Sequence, residues 1–321
     1  MDKNKVLELC MDVRYNRSSV ADQTPEERKK ELVELFSVLL KDYDRNKVEI
    51  NAIIKENVNE VLKVKVGDAL SVIADVAYIN HGEKKEYNVR NGRIKVEYVA
   101  LGSEIRRQKI YKGKVPAQPR ALGASVYAEW DDVLAGRAEA FTDMIDEIAD
   151  AINEEVMKTI QDTFVVAMQQ APAANKYSGA FSLAQLRNVA NTVSAYGRPV
   201  IVGTAIALSN ITSDPGFKSA MSDSMKDAFN RDGYIGVWEG KALVQLPNTF
   251  TDDTNTEWVL NNNYIYVLPV GTDKPVKVTF EGGAELLEQQ SFDDGSITKK
   301  TLQKVGVNVL QVQNLGLVTI S

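Results

Sequence analysis

Residues 105–157 read IRRQKIYKGKVPAQPRALGASVYAEWDDVLAGRAEAFTDMIDEIADAINEEVM, a segment in which the sign of the charge changes abruptly. Between residues 105 and 128 there are six basic side chains and no acidic one: Arg106, Arg107, Lys109, Lys112, Lys114 and Arg120. Residues 129–157 then hold ten carboxylates against one basic residue, Arg137. A projecting arm of one sign beside a helix of the other suits a subunit whose arm lies across a neighbour's helix. The pattern therefore predicts a building block of an assembly rather than an enzyme.

The basic segment belongs to a longer stretch, residues 72–127, that is rich in β-formers. These are Val76, Tyr78, Tyr87, Val89, Ile94, Val96, Tyr98 and Val99. Asn91-Gly92 predicts a tight turn because both residues tolerate positive φ. Four of the six residues at 81–86 are charged, and the segment has little apolar surface with which to fold onto a core. We therefore expect a long hairpin that projects from the subunit.

The acidic segment has the periodicity of a helix. Apolar residues recur at threes and fours from Val133 to Met168, and Pro172 ends the pattern. A single helix over residues 128–170 would be about 60 Å long, which is more than a compact domain usually needs.

The first 66 residues also predict helices. Thr24 can cap a helix whose first position is Pro25, and Glu27 can close a capping box. Two apolar stripes follow at helical spacing: Leu32, Leu35, Phe36, Leu39 and Leu40, then Ile50, Ile53, Ile54, Val58, Val61 and Leu62. These helices either pack on their own domain or form an arm that packs on a neighbouring subunit, and the sequence leaves both alternatives open.

Residues 176–263 alternate between helix and strand patterns. Ser182 and Gln185 predict a capping box for one helix, and a second helix is expected from Asp214 to about Asn230. Strands are predicted at residues 198–202 and 242–247, and again at 264–270, 276–280, 305–312 and 315–320. The chain therefore combines a compact α/β block with a set of C-terminal strands, an α+β fold class.

Composition excludes several classes of protein. A net charge of −6 and a pI near 5.2 argue against a surface that binds nucleic acid over its whole extent. Cys10 is the only cysteine, so no intramolecular disulfide can form, and its use is compatible with the cytoplasm. No stretch approaches the roughly 20 apolar residues that span a bilayer, and no secretory leader is indicated.

The residues that usually carry chemistry are few. With His81 as the sole histidine and one distant cysteine, we expect neither a zinc site, except one built from carboxylates alone, nor a Ser-His-Asp or Cys-His arrangement. His81 is expected to be a solvated turn residue. Asp252-Asp253 and Asp293-Asp294 lack the spacing of a calcium loop. The glycines of residues 233–240 are spaced unlike those of a phosphate-binding loop. We therefore expect no enzymatic activity, no metal site and no cofactor.

The order of these elements resembles that of the major capsid proteins of tailed bacteriophages, the Hong Kong 97 type fold that encapsulins share. The likeness covers residues 67–321 and rests on GSEIRR at 102–107, the helix from Trp130, YIGVWEG at 234–240 with LPN at 246–248, and residues 301–320 including KVGVNV at 304–309. The resemblance implies an N-terminal helical arm at residues 1–66, an E-loop hairpin with its base at 67–129, and a P-domain spine helix at 130–175. It also implies an A domain at 176–263 and C-terminal strands at 264–321 that return to the P domain.

The resemblance implies a shell protein that assembles with itself, as hexamers and pentamers, into an icosahedral virion head around double-stranded DNA. It also implies a portal, a separate scaffolding protein, assembly in the host cytoplasm and no membrane. The alternative is an encapsulin-like nanocompartment that encloses a cargo enzyme. A carboxylate-based hydrolase or transferase is a third and weaker hypothesis.

The basic stretch allows three interpretations: a solvated face, a contact with nucleic acid, or a contact with a neighbouring subunit. We favour the last because the complementary acidic surface lies in the same sequence. The candidate intersubunit residues are Arg106, Arg107, Lys109 and Lys112 on the hairpin and Asp143, Asp146, Glu147 and Asp150 on the spine helix.

Overall fold

A computed structural model describes residues 3–16, 18–20, 23–70, 73–91, 111–127, 138–215, 236–252, 254–270, 274–290 and 297–321. The chain divides into two compact units. The first, called the helical unit, comprises Met1–Val72, Pro119–Lys158 and Phe280–Val305. The second, called the sheet unit, comprises Ile73–Gln118, Thr159–Thr279 and Gly306–Ser321.

The helices of the described residues are α1 (Lys3–Arg14), α2 (Pro25–Leu40), α3 (Tyr43–Leu70), α4 (Ala138–Met168), α5 (Leu183–Ser194) and α6 (Ala205–Ser213). The capping box predicted for α2 is confirmed. The Glu27 backbone N–H donates to Thr24 Oγ1 at 3.3 Å, and the Thr24 N–H donates to Glu27 Oε2 at 2.7 Å. Helix α2 therefore begins where its local sequence dictates.

Helices α1, α2 and α3 share an apolar core. The buried side chains include Leu32, Phe36 and Leu39 of α2 and all six apolar residues predicted for α3. Helix α1 was not predicted, although Val6, Leu9, Cys10 and Val13 recur at helical spacing and are buried. Burial raises the pKa of the Cys10 thiol to about 12, because a thiolate would be desolvated there.

A buried ion pair joins α1 to α2 within this core. Arg28 Nε donates to Asp12 Oδ2 at 2.9 Å, and the Ser19 N–H and hydroxyl donate to the same oxygen at 2.9 and 2.6 Å. Burial alone would raise the pKa of Asp12, but the hydrogen bonds from Ser19 and the charge of Arg28 lower it below its ordinary value. The pair is thus held by hydrogen bonds that satisfy a desolvated charge.

Helix α4 confirms the long helix predicted from the acidic segment, with 31 described residues and a length of about 46 Å. Its predicted start at residues 128–137 lies outside the described residues. One face is buried, through Ile145, Ile148, Ile152, Val156, Ile160, Phe164 and Met168. The 3.6-residue periodicity of the sequence therefore identified the packed face correctly.

The strands are β1 (Ala74–Ile79), β2 (Glu86–Asn91), β3 (Tyr111–Pro116), β4 (Arg120–Tyr127), β5 (Lys176–Gly179), β6 (Arg198–Thr204), β7 (Val237–Trp238), β8 (Lys241–Leu246), β9 (Tyr264–Val270), β10 (Val276–Gln290), β11 (Ile297–Val309) and β12 (Gly316–Ile320). Strands β10 and β11 belong to a four-stranded sheet of order β1-β10-β11-β4. In the helical unit β11 pairs antiparallel with β4, from Thr298 opposite Tyr127 to Val305 opposite Arg120. Strand β10 extends past its predicted end at residue 280. Strand β11 begins at Ile297 rather than 305 and ends at Val309 rather than 312. Pairing rather than apolar alternation holds their polar ends.

The core of the sheet unit is a six-stranded sheet of order β5-β12-β9-β6-β8-β7. Pairing is parallel between β12 and β5 and between β6 and β8, and antiparallel elsewhere. Helices α5 and α6 contribute to its apolar core, which contains Leu186, Val189, Ala190, Val193, Ile201, Ala207, Leu208, Ile211, Trp238, Leu243, Ile265, Val267 and Val318. Helix α6 and strand β5 were not predicted.

Two local predictions for this unit have different outcomes. Ser182 is the N-cap residue of α5 but its side chain makes no capping hydrogen bond, so the predicted capping box with Gln185 is wrong. The helix forms without it because Leu186, Val189 and Val193 bury one face. The helix predicted from Asp214 lies almost entirely outside the described residues. Among the helices that are described, none combines the length and apolarity needed to cross a membrane.

Candidate assembly surface

The β2–β3 hairpin is the described part of the predicted arm. Its strands pair antiparallel from Glu86 opposite Pro116 to Asn91 opposite Tyr111. The strand pairing contradicts the tight turn predicted at Asn91-Gly92. Such a turn would place Arg90 opposite residue 93, but Arg90 lies opposite Lys112. The turn preference of Asn-Gly is local, but register is set along the whole strand. Residues 92–110 lie outside the described residues.

The two faces of the hairpin differ. Tyr87 lies opposite Val115 and both are half-buried, whereas Asn88 lies opposite Lys114 and both are exposed. Lys114 Nζ donates to Glu86 Oε2 at 2.7 Å, which raises the pKa of Lys114. One of the six basic side chains is therefore paired within its own hairpin, a contact that the count of charges along the sequence does not reveal.

Of the four basic candidates, only Lys112 belongs to the described residues. Lys112 is on β3, beside Tyr111. Arg106, Arg107 and Lys109 lie outside the described residues. Their position relative to the acidic candidates therefore stays a prediction.

The acidic candidates are on the described part of α4. Asp143, Glu147 and Asp150 are exposed, and Glu154 is half-buried. Spacings of four, three and four residues place these four carboxylates on one helical face. This face, Asp143, Glu147, Asp150 and Glu154, is called the acidic stripe. It lies on the helix that the sequence predicted and on residues that its apolar periodicity leaves exposed.

Asp146 has a different environment. Its carboxylate forms an ion pair with Arg14, the last residue of α1, in the same chain. The charge of Asp146 is therefore offset within the helical unit.

Two hydrogen bonds fix the base of the hairpin, one from each strand. The Tyr87 hydroxyl lies 2.6 Å from Thr279 Oγ1 on β10, and Asn308 Nδ2 on β11 donates to the Pro116 carbonyl oxygen at 3.4 Å. The partners of each bond are 192 residues apart in sequence. Sequence reasoning missed both, because a tyrosine in a strand and a threonine in another carry no signal of mutual contact.

Of the residues considered for chemistry, His81, Asp252, Glu239 and Gly240 lie in turns, whereas Asp253, Asp293, Asp294 and residues 233–235 lie outside the described residues. His81 is exposed in the turn between β1 and β2, as expected. Asp252 accepts hydrogen bonds from Thr254, Thr256 and Glu257, which lower its pKa. Glu239 and Gly240 have φ of 48° and 74° and form the tight turn between β7 and β8. No group of three or more His, Cys, Asp or Glu that could hold a metal ion occurs among the described residues.

Comparison with known proteins gives the family. A family model described as "SPbeta prophage-derived putative capsid protein YonB" matches residues 6–319. The chain belongs to this family. A curated relative from Bacillus subtilis (strain 168), the SPbeta prophage-derived uncharacterized protein YonB, is 27% identical over 281 residues, which cover 84% of this chain and 83% of the relative.

Solved structures share the fold of the chain. The capsid of an empty GTA particle has a TM-score of 0.57 at 11% identity, with 79% of this chain and 90% of that chain covered. Mycobacterium phage Adephagia gives 0.55 at 12% identity, covering 79% and 89%, and Gordonia phage Cozz gives 0.53 at 11%, covering 79% and 86%. The predicted α+β fold of the Hong Kong 97 type is confirmed.

Proposed function

We propose that this chain is the major shell protein of a tailed-phage head and assembles with itself into a closed icosahedral shell around double-stranded DNA. The observation that carries the proposal is the match to a phage capsid family over residues 6–319, on a chain with the fold of solved phage capsids. The family match favours the virion head over the encapsulin-like alternative. The role is structural rather than enzymatic, and the place of the protein is the virion.

The finer parts of the proposal concern partners and place of assembly. We propose that the subunit forms hexamers and pentamers, that a portal and a separate scaffolding protein take part, and that assembly occurs in the host cytoplasm. We also propose that the DNA is enclosed without reading of its sequence. The domain boundaries predicted from the resemblance, with the E-loop at 67–129 and the spine helix at 130–175, are part of the same proposal.

The contact that we propose between subunits joins the basic part of the hairpin to the acidic stripe of a neighbour. Arg106, Arg107, Lys109 and Lys112 supply the positive charge. The stripe is supported by the exposure of Asp143, Glu147 and Asp150 on one face of α4. Exposed ion pairs each contribute only about 0.2–1 kcal/mol, so the contact depends on several pairs acting together and weakens as salt rises.

The first experiment tests the shell itself. Purified full-length protein, with and without co-expressed candidate scaffolding protein, is examined by sedimentation velocity and negative-stain electron microscopy. We expect closed, regular shells whose subunits resist heat better than isolated subunits, because association favours the folded state by mass action. Only monomers at high concentration, with scaffold supplied, would contradict the proposal.

The second experiment tests the contact by charge reversal. Arg106, Arg107 and Lys109 are changed together to Glu, and assembly is followed by light scattering at low and high salt. We expect weaker assembly at low salt and a smaller effect at high salt. A compensating change of Asp143, Glu147 and Asp150 to Lys should restore part of the loss. The matched control reverses Lys41, Arg45 and Lys47, which are exposed in the helical unit, and changes net charge equally.

The subunit-contact and nucleic-acid interpretations of the basic stretch give different results in this experiment. If the stretch binds packaged DNA instead, the triple variant forms normal empty shells and only the DNA content of particles falls. Normal assembly of that variant at low salt would therefore remove the proposed contact and leave the shell proposal intact.

A further inference from the structure

We infer that the hydroxyl pair Tyr87–Thr279, with the weaker Asn308–Pro116 bond, is an anchor that sets the direction of the hairpin and so positions it for contact with a neighbouring subunit. This inference rests on the proposed function, because it assigns positioning residues to the proposed intersubunit contact. All four residues lie in the sheet unit. Neither bond lies in the part of the hairpin that would touch a neighbour.

The anchor consists of two hydrogen bonds, one from each strand of the hairpin. Tyr87 is on β2 and lies opposite Val115, while Pro116 is on β3 and lies opposite Glu86. The two bonds therefore leave the hairpin at adjacent register positions, one from each strand. With a single bond the hairpin could still rotate about that bond. Two bonds at separate points restrict this rotation.

The partners of the anchor are firmly held. Thr279 is fully buried, and Lys277, two residues before it on β10, places Nζ 2.5 Å from Asp75 Oδ2 on β1. The Leu310 N–H donates to the Pro275 carbonyl oxygen at 2.8 Å, which ties the end of β11 to the start of β10. The tyrosine hydroxyl is thus bound to a buried group on a paired strand, a rigid point of attachment.

A small rotation at the base of the hairpin displaces its far end by several ångströms. The described strands extend about 17 Å from Glu86 to Asn91, at the usual rise of a β-strand. A rotation of about 10° at the base moves the end of that segment by about 3 Å. Ion pairs require N–O distances of about 4 Å or less, so such a movement is enough to break the proposed contact.

Among the described residues, the hairpin is a pair of strands with one half-buried face, which includes Tyr87, Val89 and Val115. A two-stranded hairpin is marginally stable by itself. Its exposed face carries Asn88 and Lys114 and offers no apolar surface for packing. The anchor therefore acts on orientation, while adding little to the stability of the sheet core.

The test removes single hydroxyl groups. Tyr87→Phe and Thr279→Val each delete one partner of the hydroxyl pair. Tyr177→Phe is the matched control, because the Tyr177 hydroxyl donates to the Ala180 carbonyl oxygen at 3.0 Å and this bond does not involve the hairpin. Spin labels at Asn88→Cys and Asn191→Cys, both exposed positions of the sheet unit, report the hairpin direction in unassembled subunits by electron–electron distance measurement. Cys10 is only 2% exposed and stays unlabelled.

We expect Tyr87→Phe and Thr279→Val to broaden the label–label distance distribution, the double variant to broaden it no further, and Tyr177→Phe to leave it unchanged. In assembly, Tyr87→Phe should raise the protein concentration needed for half-maximal shell formation roughly two- to tenfold relative to Tyr177→Phe. Equal distributions and equal assembly for Tyr87→Phe and Tyr177→Phe would overturn the inference. The label–label distances are measured on unassembled subunits, so they test the inference whether or not shells form. If the unsubstituted protein formed no shells, that result would contradict only the proposed function.

Discussion

The six-stranded sheet and the β2–β3 hairpin lie in the same unit and are both built from strands, but they bury very different amounts of side chain. Strand β6 has six consecutive buried residues from Pro199 to Thr204. The described side chains of the hairpin alternate between half-buried and exposed. Strands with buried faces hold a subunit together, whereas exposed strands held only at their base are available to another molecule. Within one unit, the six-stranded sheet therefore carries the buried core, and the hairpin carries partly exposed strands.

The largest expected effect comes from the same substitution made in each region. Val202 is fully buried on β6, and Val89 is half-buried on β2. We expect Val202→Ala to lower the free energy of unfolding of the subunit by about 2 kcal/mol, because methyl groups leave a packed core. Val89→Ala should change it by less than about 0.5 kcal/mol. Urea unfolding followed by tryptophan fluorescence measures the free energy of unfolding of both variants. Equal losses of stability would contradict the proposed difference between the sheet and the hairpin.

A second matched pair uses glycine. An alanine Cβ at Gly316 on β12 would lie 2.5 Å from Val189 Cγ1 and 3.0 Å from Val267 Cβ, whereas at Gly113 on β3 it would meet only the Val89 carbonyl oxygen at 4.0 Å. We expect Gly316→Ala to lower the melting temperature, at a cost of about 1–3 kcal/mol from overpacking. Gly113→Ala should leave the melting temperature nearly unchanged. A stable Gly316→Ala variant would show that α5 can move away from the sheet.

The smallest effect concerns an exposed loop in which several hydrogen bonds converge on one carboxylate, that of Asp252. Asp252 accepts from the Thr256 N–H at 3.0 Å and the Glu257 N–H at 2.9 Å. The hydrogen bond from the Thr254 side chain contributes most to the lowering of its pKa, followed by that from Thr256. The stabilisation is therefore present above the ordinary carboxyl pKa and is lost as the pH falls through the lowered value. In Asp252→Ala we expect faster amide exchange at Thr256 and Glu257 at pH 7, with global unfolding unchanged.

The control for this loop is Thr251→Val, because the Thr251 hydroxyl donates to the Glu257 carbonyl at 3.3 Å but does not bind Asp252. Amide exchange that stays slow at Thr256 and Glu257 in Asp252→Ala would mean that the Phe250–Trp258 ring contact, at 3.8 Å between centroids, orders the loop instead.

The sequence predicted those parts of the fold in which one short segment contains its own explanation. The capping box of α2 needs only residues 24–27, and the buried face of α4 follows from a periodicity of 3.6. Strand β9 was predicted at its observed bounds, because its residues are continuously apolar and bounded by polar turns. The exposed acidic residues of α4 were predictable for the same reason.

Features that depend on distant parts of the chain were missed. Strand β5 has four residues and is a strand because β12 lies parallel beside it. The Arg14–Asp146 pair joins residues that no local pattern connects, so Asp146 was grouped with carboxylates that face outward. The tight turn predicted at Asn91-Gly92 failed because a strong local turn signal competed with the strand register, in which Arg90 lies opposite Lys112 and Asn91 opposite Tyr111.

The place of β12 in the sheet has a consequence for the timing of protein synthesis. This strand lies between β5 and β9, although well over a hundred residues separate it from β5 in the chain. A ribosome adds about 5–20 residues per second, so a nascent chain carries β5 for on the order of ten seconds before β12 exists. During that time the sheet is without an inner strand. Subunits still being translated are therefore incomplete at their core, and a polysome holds chains that cannot yet join a shell.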